Sequence, residues 1–157
     1  MKVKNNIQKG ISGSLVPAIL GISPFLSPLQ AWLLLKGKFQ QEENDAMKLG
    51  KNLESHIFSY IKEKYQINCE QNQKIFFHQK YDYFSGTPDG FLFKDGQRIL
   101  IEVKTTKRKV STLPLDFYTQ IQWYLWILEI QKAISVVVLL PDLPAEKLLL
   151  LGLRPTS

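Results

Sequence analysis

The sequence predicts an α/β fold in which a mixed central sheet is flanked by helices, and three observations lead there. A stretch with apolar residues at helical spacing, residues 42–65, is followed by segments in which the period falls to two. A second helical stretch, 115–131, is apolar almost all round and precedes a nearly all-apolar run over 133–140. Helix, three strands, helix, strand is an order that packs helices onto one sheet.

The elements follow in chain order. Ser14 is placed to cap a first helix that runs through Ile19 and stops at Gly21. Ser27 caps a second, with Pro28 in its first turn and Gly37 at its end. The long helix carries Met47, Leu53, Ile57, Phe58, Ile61 and Tyr65 on its apolar stripe. Gly50 interrupts it at a cost of about 1 kcal/mol relative to alanine. That glycine either admits a close neighbour or is a tolerated flaw. Strand-like segments at 74–79, 83–93 and 98–105 are expected as three antiparallel strands in a row, with Asp95-Gly96 as a hairpin turn. Pro114 opens the helix over 115–131. The run 133–140 is expected as a buried central or parallel strand, and 147–153 as a last edge strand.

The chain has 157 residues, 45% of them hydrophobic and 11% aromatic, which suits one globular domain spanning 1–157. Its lone cysteine, Cys69, excludes an internal disulfide and an all-cysteine metal site. No apolar signal-peptide core is present near the start, and no run is long enough to span a bilayer, so a cytoplasmic, membrane-free protein is expected. The formal charge of +6 and a pI near 9.4 favour a polyanionic partner, although many basic proteins bind no nucleic acid.

The chemistry concentrates in Gly86-Thr87-Pro88-Asp89-Gly90 and in Ile101-Glu102-Val103-Lys104. Residues two apart on a strand share a face, so Glu102 and Lys104 point together while Ile99, Ile101 and Val103 point into a core. The Asp95-Gly96 hairpin folds Asp89 back towards Glu102. Two adjacent carboxylates repel, and a hard divalent cation such as Mg²⁺ or Mn²⁺ relieves the conflict. Lys104 is then placed to act on a water or on developing charge. By itself the Glu-x-Lys pattern reads first as a cross-strand ion pair of Lys104 with Asp89 or Glu102 on a solvated face; the upstream Pro88-Asp89-Gly90 on a paired strand and two polar residues placed against the local pattern point beyond it.

Two further polar residues run against the local pattern. Glu54 shares a helix face with Gly50, Ile57 and Ile61, where a carboxylate is costly unless paired or bound to metal; the alternative is a border residue bonded to Lys51 or His56. Gln120 sits on the apolar helix and needs partners, with or without a role at the site. The basic run Lys107-Arg108-Lys109 lies next to the Glu102–Lys104 strand, either to meet DNA phosphates or as a solvated loop. His56, His78 and Cys69 carry no recognisable site pattern.

These motifs, in this order, resemble the YqaJ-type viral recombinases, the group of PD-(D/E)XK nucleases that includes phage lambda exonuclease. The likeness begins at Gly10-Ile11-Ser12-Gly13-Ser14 and Ile19-Leu20-Gly21-Ile22-Ser23-Pro24-Phe25. It continues through Ser27-Pro28-Leu29, Trp32 and Lys36-Gly37, then Gly50 with Glu54, the two segments just described, and Tyr118, Gln120, Gln122, Trp123 and Tyr124. The resemblance implies a restriction-endonuclease-like core and Mg²⁺-dependent hydrolysis of double-stranded DNA, most simply a 5′→3′ exonuclease acting in recombination. An endonuclease of similar core, or a DNA-binding module that has lost catalysis, are the alternatives. It implies that Asp89, Glu102 and the Val103 carbonyl bind metal, that Glu54 contributes there, that Lys104 serves the attacking water, and that Ser14 contacts a DNA 5′-phosphate. A ring-shaped homotrimer and a single-strand annealing partner would follow. The chain departs from many relatives at Leu15, where an acidic residue is common.

Overall fold

The computed structural model describes residues 10–107 and 109–140. The arginine of the basic run, Arg108, and the expected strand at 147–153 lie outside the described residues.

The chain opens with β1 (Ile11–Ser12) and a one-turn helix, α1 (Val16–Ile19). Ser14 does not cap it. Leu15 occupies the cap position without a side-chain bond, and its N–H is already turned back onto the Ser12 carbonyl at 2.9 Å. That turn carries Ser14 outward, where its Oγ lies 3.1 Å from Ser12 Oγ. Ser27 does cap α2 (Pro28–Leu35): its Oγ accepts from Gln30 N–H, and Gln30 Oε1 accepts from Ser27 N–H.

The long helix α3 (Asp45–Tyr65) starts later than the expected residue 42, because Asn44 Oδ1 accepts from Met47 N–H and sets the first turn there. Leu49, Phe58 and Ile61 are buried, whereas Met47 and Tyr65 at the ends of the predicted stripe are exposed. A Cβ on Gly50 would stand 2.7 Å from Thr105 Oγ1, so this glycine admits a close neighbour.

Next come β2 (Cys69–Gln71), β3 (Phe76–Phe77), β4 (Phe84–Gly86), β5 (Gly90–Lys94) and β6 (Gln97–Thr106). The expected run of three antiparallel strands is divided between two sheets. β3 pairs antiparallel with β4 in a sheet ordered β1-β4-β3, and β5 pairs antiparallel with β6 in a separate sheet. The Thr87-Pro88 step between β4 and β5 is where the chain changes sheet, since proline donates no ladder bond. Asp95 (φ 51°) and Gly96 (φ 71°) form the tight turn between β5 and β6.

Helix α4 (Leu115–Leu128) begins after Pro114 and ends before Glu129, whose φ of 55° stops it short of the expected Gln131. The last described strand, β7 (Ala133–Leu139), pairs parallel with β6, completing the order β2-β5-β6-β7. The parallel pairing is as expected, but the central position is not: β7 is outermost on its side among the described residues, with Ile134, Val137 and Leu139 exposed. The buried centre is β6, where Leu100 and Ile101 are 0% and 1% exposed. Its Ile101 side packs with Phe58 and Ile61 of α3, and its Leu100 side with Ile121 and Tyr124 of α4. A mixed sheet held between two helices is the result. No helix among the described residues is long and apolar enough to cross a membrane.

Candidate active site

The ladder pairs Gly90 with Ile101, which sets Asp89 beside Glu102 at the point where β5 begins. Asp89 Oδ2 accepts from Val103 N–H at 2.7 Å, and Asp89 N–H reaches Glu102 Oε2 at 3.4 Å. Glu102 is 2% exposed, so its charge has almost no water to solvate it. Lys104 Nζ stands 3.3 Å from Glu102 Oε1 and donates to Gln120 Oε1 on α4. Gln120 Nε2 in turn donates to Tyr124 Oη at 2.8 Å. A chain of polar contacts therefore runs from the buried carboxylate through an ammonium and an amide to a buried phenol.

Burial is the first cause of every shift here. It pushes Asp89 up to about 7, with the neighbouring Glu102 charge adding to the effect. Glu102 is also raised by burial, against the opposing attraction of Lys104. Glu54 is raised by burial and then by Asp89. The Tyr124 hydroxyl is raised by burial and by Glu102, so it stays protonated and able to donate.

Each residue singled out in the sequence has a definite place. Asp89, Glu102, Lys104 and Gln120 converge. Glu54 approaches from α3 closely enough to feel Asp89, but it is bonded to neither Lys51 nor His56. Its Oε1 accepts from Gln71 Nε2 at 3.2 Å, while Lys51 pairs with Glu43. The Val103 side chain packs into the α3 side of the core, and its amide holds Asp89. Ser14 is exposed and lines a groove of about 340 Å³ together with Lys104, Phe117 and Gln120. Lys107 and Lys109 are exposed beyond the end of β6.

Gln71 had no role in the sequence reading, and Tyr124 appeared there only as an apolar-helix and motif position. Tyr124 had one legible signal, its position one turn after Gln120. A Cβ on Gly13 or Gly86 would fall 2.3 Å or 2.6 Å from its ring, so two glycines make room for it. Gln71 had no signal, because its partner lies far back on α3.

The donor set suits a hard cation. Asp89 and Glu102 offer adjacent carboxylate oxygens, and Mg²⁺ commonly takes only one or two carboxylates while keeping several waters. Among the described residues no group of three or more acidic, histidine or cysteine side chains forms a ready-made metal cage. Ser135 Oγ, on the residue in register with Glu102, is buried without a hydrogen-bond partner, a further polar atom at this place.

Fold and site together define the restriction-endonuclease-like class, a mixed sheet with helices on its flanks and an acidic pair at the strand junction. Within it, the chain belongs to the YqaJ-like viral recombinase domain family, whose model matches residues 5–131. An uncharacterized Bacillus subtilis (strain 168) protein, YqaJ, is 25% identical over 142 residues, covering 84% of this chain and 44% of that one. The chain thus spans less than half the length of that relative. Among solved structures, the alkaline exonuclease LHK-Exo from Laribacter hongkongensis superposes with a TM-score of 0.63 at 20% identity, over 86% of this chain and 73% of that one. LHK-Exo in complex with dAMP gives 0.66 at 19%, over 88% and 73%. A phage-related exonuclease from Haemophilus somnus gives 0.60 at 16%, over 85% and 70%. At these identities the likeness is one of fold.

Proposed function

We propose that this domain is a divalent-metal-dependent DNA nuclease, acting as a phage-type 5′→3′ exonuclease in recombination. The observation that carries the reading is the junction of Asp89, Glu102 and Lys104. A carboxylate pair that burial keeps from ionising freely is held beside an ammonium, in a chain belonging to a viral recombinase family. Solved exonucleases of the same fold support the exonuclease form.

In this reading Asp89, Glu102 and the Val103 carbonyl hold Mg²⁺ or Mn²⁺, with Glu54 contributing from α3. When bound, the cation supplies Lewis acidity towards a phosphodiester. Lys104 donates to the attacking water or to the phosphate oxygens on which charge develops. Gln120, anchored by Tyr124, holds the Lys104 ammonium in place. Ser14 contacts the 5′-phosphate of double-stranded DNA, and Lys107, Arg108 and Lys109 meet its backbone phosphates, where each cationic side chain displaces condensed counterions. A cytoplasmic location, a ring-shaped homotrimer and a single-strand annealing partner complete the proposal.

The test is cleavage of linear and of closed circular duplex DNA, with Mg²⁺ or with chelator. Mg²⁺-dependent loss of linear DNA alone is expected. Nicking of circles would replace the exonuclease by an endonuclease. Salt-sensitive binding without any cleavage would leave only a DNA-binding module.

A further inference from the structure

Asn72, the first residue past β2, grips the Pro88–Asp89 step with both main chain and side chain. Its N–H donates to the Asp89 carbonyl at 2.7 Å, and its Nδ2 donates to the Pro88 carbonyl at 2.9 Å. The same Nδ2 donates to the Lys74 carbonyl at 2.9 Å, and Oδ1 accepts from Lys74 N–H at 3.1 Å. The amide is therefore fixed in orientation by its own turn before it reaches across to Pro88.

That reach meets a specific need. Pro88 is fully buried, and a buried carbonyl requires a donor. β5 begins only at Gly90, and the β2–β5 ladder ends at Gln71 opposite Gly90. The two peptide units just before the strand depend on Asn72 for these contacts. Asp89 is thus held from two sides. β6 holds its carboxylate through Val103 N–H, and Asn72 holds its backbone from the β2 side. A backbone shift at this step would carry the Asp89 carboxylate away from Glu102.

We propose that Asn72 is a positioning residue for Asp89, and that it sets the affinity of the Asp89–Glu102 pair for a divalent cation. The inference rests on the metal-binding reading of that pair. Outer groups that orient metal ligands typically change affinity by about 10- to 100-fold when removed.

The experiment is titration calorimetry of Mn²⁺ into chelator-treated protein without DNA, for wild type, Asn72→Ala and Asn72→Ser. Serine keeps a short acceptor for the Lys74 turn but ends before Pro88. Melting temperatures in chelator are recorded alongside, with Gln73→Ala as a neighbouring control. The expected result is a Kd for Mn²⁺ raised about tenfold in both Asn72 variants, and unchanged in Gln73→Ala. A lowered melting temperature with unchanged Kd overturns the proposal, because Asn72 then serves the fold alone; loss of fold in both variants does the same. Wild-type protein that binds no Mn²⁺ overturns the metal reading, and the proposal with it. Wild-type binding with an unaltered Kd in Asn72→Ser overturns the proposal alone.

Discussion

Glu102 and Glu54 are both glutamates at one site, and burial is the first cause of the raised pKa of each. Their surroundings differ. Glu102 sits on the central strand, 2% exposed, with Lys104 beside it and Asp89 N–H against it. Glu54 stands on a helix, half-buried, held by one amide from Gln71. A strand residue in a ladder has its position set by neighbours on both sides, whereas a helix residue at the rim moves with its helix. On the proposed nuclease reading, the sheet carboxylates are indispensable and the helix carboxylate tunes them.

Four experiments break or sharpen that contrast. The largest effect is expected from Asp89→Ala and from Glu102→Gln, each lowering Mg²⁺-dependent cleavage by about 10³-fold. Glutamine keeps the shape of Glu102, so folding checked by circular dichroism should persist. Wild-type rates in both variants would remove the pair from the chemistry. Lys104→Ala should lower the rate by about 10²-fold, while DNA affinity measured without metal stays near wild type.

The third concerns pH. Asp89 has a folded pKa of about 7, above its unfolded value, so between roughly pH 4 and 7 the folded state keeps a proton that the unfolded state has lost. Stability of the metal-free protein should therefore fall as pH rises through that window, then level off. A higher melting temperature at pH 5 than at pH 8 is expected in chelator, and Asp89→Asn should flatten the slope. Adding Mg²⁺ should raise the melting temperature more at pH 8 than at pH 5. The smallest effect is expected at Glu54: Glu54→Gln and Gln71→Leu should each cost about tenfold in the Mg²⁺ concentration for half-maximal cleavage. A loss at Glu54 equal to that at Glu102 would erase the contrast.

What could be read directly was local. Alternation along 98–105 put Glu102 and Lys104 on one face and the isoleucines on the other. Asp95-Gly96 announced the turn that returns Asp89 to Glu102, and Ser27 with Pro28 announced a helix start. Each of these is written in neighbouring residues, because strand period, turn torsions and capping bonds span only a few positions.

Tertiary packing decided the rest. It split the expected three-strand run into two sheets at Pro88, left β7 outermost on its side among the described residues, and took Ser14 out of its expected cap. It brought Gln71 to Glu54, Asn72 to Pro88 and Gln120 to Lys104. These contacts join residues 16 or 17 positions apart. No local period encodes such pairs; they form only when α3, β2, β6 and α4 have docked around the buried Leu100 and Ile101.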